Sequence, residues 1–373
     1  MGAYLVIESL AIENLRGIKK LNVSGLTDVN IFIGRNGAGK STILEAIYLA
    51  SAFFSKLDPL RDRSKLDYVV ERRTGRGSWQ RNRDILWYAK NTSEDITIAL
   101  KFRIGSTLKF KVLYETPWGE IPLLLEVPEE VARKAGISPP SGSVYLLEKK
   151  LVELMGRTIR ILSYDYREYD SIVSVLEEEA MYLRGIAFLD SRLDVKSVEQ
   201  RVWRSILDKR LDKVVVDLIR EEYEPGVEGI SYKPSGDGFV MSILLPYTSV
   251  EIDGLGDGAR MAVFYASILA LLSDTGVLIE DPEIHQHPGG LVTLLKFTLK
   301  MAKEKKLQLF ITTHSLELVK IARELTSKYG LDLRVLYVER DHETGLVDVR
   351  AMEKVDLEIL EKLGLDPRLL HIL

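Results

Sequence analysis

The chain has 373 residues, 46% of them hydrophobic, enough for one large domain or two ordinary ones around a sizeable core. Its 51 basic and 55 acidic residues leave a net charge of −4, so no global basic bias points to nucleic acid or an anionic membrane, and any such surface must be local. The absence of cysteine excludes disulfides, thiolate metal sites and cysteine nucleophiles, and it fits a cytoplasmic location.

The opening "MGAYLVIESLAIENLRG" alternates apolar and acidic residues too early for a signal peptide. No apolar run approaches the roughly 20 residues that span a bilayer, so no membrane attachment is expected. "YLVIESLAIENL" and "IKKLNVSGL" read as paired strands, and "DVNIFI" as a buried strand running into a glycine-rich turn and the helix "KSTILEAIYLASAFF". Residues 55–95 are polar and arginine-rich. "DITIALKFRI" and "TLKFKVLYET" then alternate like a hairpin turning at "GST", and "SPPSG" marks a loop. From about 145 to 224 apolar residues fall at helical spacing. Beyond "GFVMSILLPY", strands alternate with helices: "GVLIED", a helix over about 288–304, "LQLFITTH", another helix, and "LRVLYVER". Such alternation predicts βαβ units around a largely parallel sheet.

"GRNGAGKS", residues 34–41, satisfies G-x-x-x-x-G-K-[ST] and lies between a buried strand and a helix, the setting a phosphate-binding loop requires. Gly34, Gly37 and Gly39 let the backbone N–H groups of Arg35, Asn36 and Ala38 turn inward around phosphates, and the helix N-terminus adds its positive dipole end. Lys40 would reach the β- and γ-phosphates, Ser41 would ligate magnesium, and Thr42 would donate to the α-phosphate. ATP and Mg2+ are therefore the expected cofactors.

A phosphate-binding loop needs an acidic strand end beside it, and "VLIEDPEIHQHP" supplies one. Glu280 would hold magnesium and its water, and Asp281 would orient or deprotonate the attacking water. His285 and His287 stand two apart and could build a zinc site with a carboxylate; alternatively they pack in a loop, with Pro288 starting a helix.

Two further stretches, "GLGDGARMA" (254–262) and "FITTHS" (310–315), complete a set that resembles the ABC-type ATPase heads of the SMC, RecF and OLD group, above all their stand-alone AAA-type ATPases. The resemblance covers residues 1–50 and about 235–340 and implies an α/β P-loop NTPase: a mixed sheet with an N-terminal antiparallel lobe, carrying a β-hairpin and a helical insert. In it "GRNGAGKS" is Walker A, "LGDGAR" the signature, "VLIEDPE" Walker B, and His314 the switch histidine able to hydrogen-bond the γ-phosphate or the water. It implies that Leu255, Gly256, Asp257 and Gly258 of one chain close over ATP held by another, in a head-to-tail homodimer. The head would comprise residues 1–54 and 230–373, with 55–229 as the insert.

Three features depart from the resembling heads. The acidic pair runs Glu280 then Asp281 rather than Asp then Glu, which makes Glu283 a reserve candidate for the base. Gly256 occupies a position usually filled by serine, and Gln80 is the nearest candidate for the Q-loop glutamine.

"ERRTGRGSWQRNRDILW" places Arg72, Arg73, Arg76, Arg81 and Arg83 among Trp79 and Trp87, a composition suited to DNA through phosphate contact and base stacking, although charge runs are usually solvated surface and the chain as a whole is acidic. Arg16 in "NLRGI" would flank the nucleotide or lie on the hairpin surface. The expected function is Mg-dependent ATP hydrolysis linked, by resemblance, to DNA metabolism, repair or defence. The alternative is an ATP-gated module that hydrolyses little and drives a separate effector protein. A small-molecule kinase would leave "LGDGAR" and "TTHS" without a role, and with the chain ending in "DPRLLHIL" no fused nuclease is expected.

Overall fold

The computed structural model of the chain describes residues 4–61, 63–114, 123–136, 145–149, 166–192, 195–235 and 238–363. The "SPPSG" loop and the "DPRLLHIL" tail lie outside these residues.

Strands β1 (Ile7–Leu15) and β2 (Ile18–Ser24) form the expected antiparallel hairpin, closing where Leu15 faces Ile18. The fully buried β3 (Val29–Ile33) runs through the glycine loop into α1 (Lys40–Ser51). Helix α2 (Lys65–Thr74) is capped by Ser64, whose hydroxyl accepts from the Asp67 N–H, and α3 (Trp79–Asn82) follows. After the β4 (Ile96–Phe102) and β5 (Thr107–Val112) hairpin come β6 (Leu123–Val127), α4 (Glu129–Lys134) and β7 (Tyr145–Lys149). Next are α5 (Tyr166–Val175), α6 (Glu177–Arg184), β8 (Ala187–Leu189), α7 (Val195–Asp208) and α8 (Asp212–Glu222). A separate small antiparallel sheet holds β9 (Gly229–Ser235), β10 (Gly238–Leu244) and β11 (Ser249–Glu251). The chain continues with α9 (Asp257–Leu271), β12 (Gly276–Glu280), α10 (Pro288–Lys305), β13 (Gln308–Thr312), α11 (Leu316–Tyr329), β14 (Leu333–Arg340), β15 (Leu346–Ala351) and α12 (Lys354–Leu363).

One mixed sheet has the order β7-β6-β5-β4-β1-β2-β15-β14-β3-β13-β12-β8. From β14 to β8 neighbouring strands are parallel, as the alternation predicted, whereas β2 through β7 form an antiparallel lobe joined on by β15. Alternating side chains of the parallel strands feed two cores. Phe32, Leu278 and Phe310 pack toward α1, while Val29, Ile31, Val277, Ile279, Leu309 and Ile311 pack toward α9 and α10.

The 55–229 segment is woven into this sheet. Within it β4 pairs with β1, and β8 pairs in parallel with β12, Ala187 facing Val277. The stretch read as helical from about 145 to 224 therefore contains two strands, β7 and β8. Three buried residues, Ala187–Leu189, are too few to show a strand period between helices. Among the described residues no helix is long and apolar enough to cross a membrane.

Candidate nucleotide site

Strand order sets the site. The carboxyl ends of β3, β13 and β12 lie side by side, bringing the glycine loop, the "TTHS" stretch and the acidic pair to one edge. Gly34, at φ 142°, lies so close to the Val338 carbonyl that a side chain there would collide with the β14 backbone. At Gly37, φ 79°, an added Cβ would meet nothing within 4 Å, so this side of its backbone opens onto free space. Arg35, Asn36 and Gly37 are exposed, Ala38 is buried, and the Lys40 Nζ folds back to donate to the carbonyls of Gly34 at 2.8 Å and Arg35 at 3.0 Å. Ser41 and Thr42 occupy the first turn of α1, Ser41 half-buried and Thr42 buried.

Glu280 ends β12 and Asp281 follows at φ 44°, a left-handed conformation uncommon outside glycine. The Asp281 N–H donates to the Thr312 carbonyl at 3.0 Å, and the Thr312 hydroxyl lies 3.4 Å from Asp281 Oδ1. Burial and the neighbouring Glu280 push the Asp281 carboxyl above the ordinary aspartate range, with Lys40 pulling the other way. Glu280 pairs through Oε2 with Arg72, so Oε1 is the oxygen that can face a metal-bound water. Ser41 and Glu280 offer oxygen donors, the kind of ligand that fits Mg2+.

Glu283, the reserve candidate for the base, is engaged at one oxygen, while its buried Oε2 has no hydrogen-bond partner among the described residues. Its Oε1 accepts from the Thr313 hydroxyl and from the His314 N–H at 3.0 Å, which makes it a strut tying the loop after β12 to the "TTHS" stretch. His314 is half-buried at that junction, and Ser315 caps α11 by accepting from the Leu318 N–H at 3.1 Å. Between the two arrangements left open for the histidines, the structure has the loop. The His287 ring caps α10, accepting from the Gly289 N–H at 3.4 Å, and Pro288 opens the helix.

The signature lies at the N-terminus of α9. Gly256 and Asp257 are exposed, Leu255 is half-buried, and nothing lies within 4 Å of a Cβ built on Gly256. Gly258 packs inward against the loop after β12: its carbonyl accepts from Gln286 Nε2 at 3.0 Å, and a Cβ would sit 2.8 Å from the His285 carbonyl oxygen.

The arginine segment differs most from expectation. Arg72 is buried and pairs with Glu45, Asp190 and Glu280, so it faces the site and not a polyanion outside. Trp79 and Trp87 are buried in the core against each other and are not available to stack on bases. Arg83 is half-buried and donates to the Tyr114 carbonyl at 3.1 Å, leaving Arg73, Arg76 and Arg81 as the exposed members. Gln80 is exposed on α3. Arg16 does not lie on the hairpin surface: its guanidinium turns inward to pair with Glu45 and donates to the Val69 carbonyl at 2.6 Å. The residue the motifs missed is Glu45. It is fully buried yet ion-paired with Arg16, Arg72 and Arg73, and its signal is a lone acid in the otherwise apolar run "TILEAIYLA".

The model of the AAA ATPase domain family matches residues 6–210, more than half of the chain. An ATP/GTP phosphatase of Helicobacter pylori is 20% identical over 338 residues, covering 85% of this chain and 87% of its own. A DNA replication and repair protein RecF of Clostridium beijerinckii is 24% identical over 240 residues, covering 61% and 60%. Among solved structures, an Smc head bound to the C-terminal winged-helix domain of ScpA superposes with a TM-score of 0.53 at 13% identity, covering 93% of this chain and 98% of that one. The family match, on a chain that brings a glycine loop, an acidic strand end and a "TTHS" turn to one sheet edge, shows that the chain belongs to the AAA ATPase domain family, and it shares its fold with the Smc head.

Proposed function

We propose that the chain binds and hydrolyses ATP with Mg2+ at the edge formed by β3, β13 and β12, with Asp281 as the base. The observation that carries this is Asp281 itself. A carboxylate at positive φ, fastened to Thr312 and sensing both Glu280 and Lys40, is the arrangement of a group held where its chemistry is needed. Backbone N–H groups of residues 35–40 and the α1 N-terminus would cradle the phosphates, and Lys40 would swing from the loop carbonyls to the β- and γ-phosphates. Bound Mg2+, held by Ser41 and Glu280, would neutralise charge on the phosphoryl oxygens. Asp281 would take the proton of the attacking water, and His314 would donate to the γ-phosphate or that water.

In this proposal the exposed start of α9, Leu255 to Gly258, closes over the γ-phosphate of a second chain, so ATP is sandwiched in a homodimer. The head is formed by 1–54 and 230–373, with 55–229 threaded through the same sheet. The RecF relative supports a link to DNA metabolism, and Arg73, Arg76 and Arg81 are the side chains placed to meet a polyanion. The ScpA-bound Smc head supports a separate protein partner. Phosphate release and nucleotide binding, measured on one preparation with and without DNA, test the proposal. Turnover abolished by Lys40→Ala is expected, and tight binding with no turnover under any condition would favour the ATP-gated module instead.

A further inference from the structure

Glu45 follows Ser41 by four residues on α1 and so lies one turn behind it on the same face. Glu280 is the acid at the end of β12. One guanidinium joins them: Arg72 Nη1 pairs with Glu45 Oε1, Nη2 with Glu280 Oε2, and Nε lies 3.3 Å from Asp190 Oδ2, just after β8. The same guanidinium lies 4.5 Å from the centre of the Phe188 ring, which fixes its plane. Glu45 and Asp190 are shut from solvent, whereas the Glu280 side chain keeps 17% exposure. The clamp therefore has two anchored arms and one working arm.

We infer that Arg72 is a positioning residue that sets the spacing between the two Mg2+-binding walls, Ser41 on α1 and Glu280 on β12, by clamping Glu45 to Glu280. This rests on the proposed metal role of Glu280. Only a planar fork with donors on three sides spans three carboxylates in this way; a lysine ammonium at the same place is a point charge and releases at least one arm. Arg73 adds a second hold on Glu45 Oε1 at 2.9 Å but does not reach across to Glu280, so among the described residues Arg72 alone joins the two acids.

The test uses the full chain with ADP and with Mn2+ as a paramagnetic stand-in for Mg2+, bound metal being read by electron paramagnetic resonance. Arg72→Lys is expected to weaken Mn2+ binding to the protein–ADP complex by about 10- to 100-fold, as loss of a group that orients a metal ligand does, while ADP affinity without metal changes little. Arg72→Met combined with Glu45→Gln removes the guanidinium together with one charge it neutralises, so a folded protein, judged by its melting curve, remains available. It is expected to show the same Mn2+ loss. Undiminished Mn2+ affinity in both folded variants overturns the inference. Glu280→Gln separates it from its premise: weaker Mn2+ binding in Glu280→Gln but not in the Arg72 variants sinks the clamp alone, and unchanged binding in Glu280→Gln sinks the metal role and the clamp with it.

Discussion

The backbone N–H of Asp281 donates to the carbonyl oxygen of Thr312 at 3.0 Å, fastening a residue with φ of 44° to the neighbouring strand. Pro282 follows directly, and a residue before proline prefers extended backbone, so the conformation at Asp281 persists only because β13 holds it. Such backbone costs on the order of 1–3 kcal/mol and collects at functional positions.

Asp281→Asn is the first prediction. Asparagine tolerates positive φ and keeps the shape, so ATP binding should persist while turnover falls by about 10²- to 10⁴-fold, the span of a lost general base. The carboxyl is raised in the folded chain by burial and by Glu280, so its contribution to stability is present at low pH and is lost as pH rises through its folded pKa. At pH 7 the variant should therefore melt no lower than the parent. A lower melting temperature there would show that the raised carboxyl is not a burden on the fold. Full turnover in the variant would remove Asp281 from the chemistry.

Glu45 gives a prediction of opposite sign. Burial alone would raise its carboxyl, but Arg16, Arg72 and Arg73 outweigh burial and hold it at about 2, below the ordinary 4.5. Its stabilisation is then present above pH 4.5 and drains away as pH falls toward 2. Glu45→Gln should cost about 3–5 kcal/mol at pH 7, because three arginines lose a buried partner. It should also flatten the acid limb of the stability curve. Urea denaturation at pH 7 and at successively lower pH reads both effects, and an acid limb as steep as the parent's would contradict the assignment.

These two residues mark where the sequence was legible and where it was not. The glycine loop, the "VLIED" strand and "TTHS" are local patterns on adjacent parallel strands, so motif and placement coincide. Arg72 stands in a polar, arginine-rich stretch that looks like solvated surface, and only the fold turns it inward onto acids 27, 118 and 208 residues away in sequence. Trp79 and Trp87 misled for the same reason: their charged neighbours suggested a surface, while the rings close the core. Strand β8 was hidden by its length, since its partner β12 lies in a distant stretch of the chain.

Glu283 separates strut from base. Its Oε1 accepts two hydrogen bonds, from Thr313 and His314, and a glutamine carbonyl accepts the same two. Glu283→Gln should keep turnover within about threefold of the parent, whereas Glu283→Ala frees the histidine turn and should lower turnover by about 10-fold or more, a loss on the scale of one buried hydrogen-bonding partner. Steady-state phosphate release measures both. A stall in Glu283→Gln beside an active Asp281→Asn would transfer the base to Glu283.

The last prediction concerns the second chain. The first N–H groups of α9 have no partner within their own helix, and with Gly256 and Asp257 exposed they are free to point at a phosphate brought by another copy. Gly258 is a poor place to test this, because a side chain there would strike the His285 carbonyl of its own chain. Asp257 is the better one: Asp257→Ala keeps the helix start and its N–H groups, while Asp257→Trp fills the space a phosphate must enter. In an Asp281→Asn background, where ATP persists, ligand bound across two chains favours association by mass action. Light scattering should then show a dimer with ATP and a monomer without it, the dimer retained by Asp257→Ala and lost in Asp257→Trp. A monomer at every ATP concentration, or a dimer indifferent to Asp257→Trp, would place the start of α9 outside the nucleotide site.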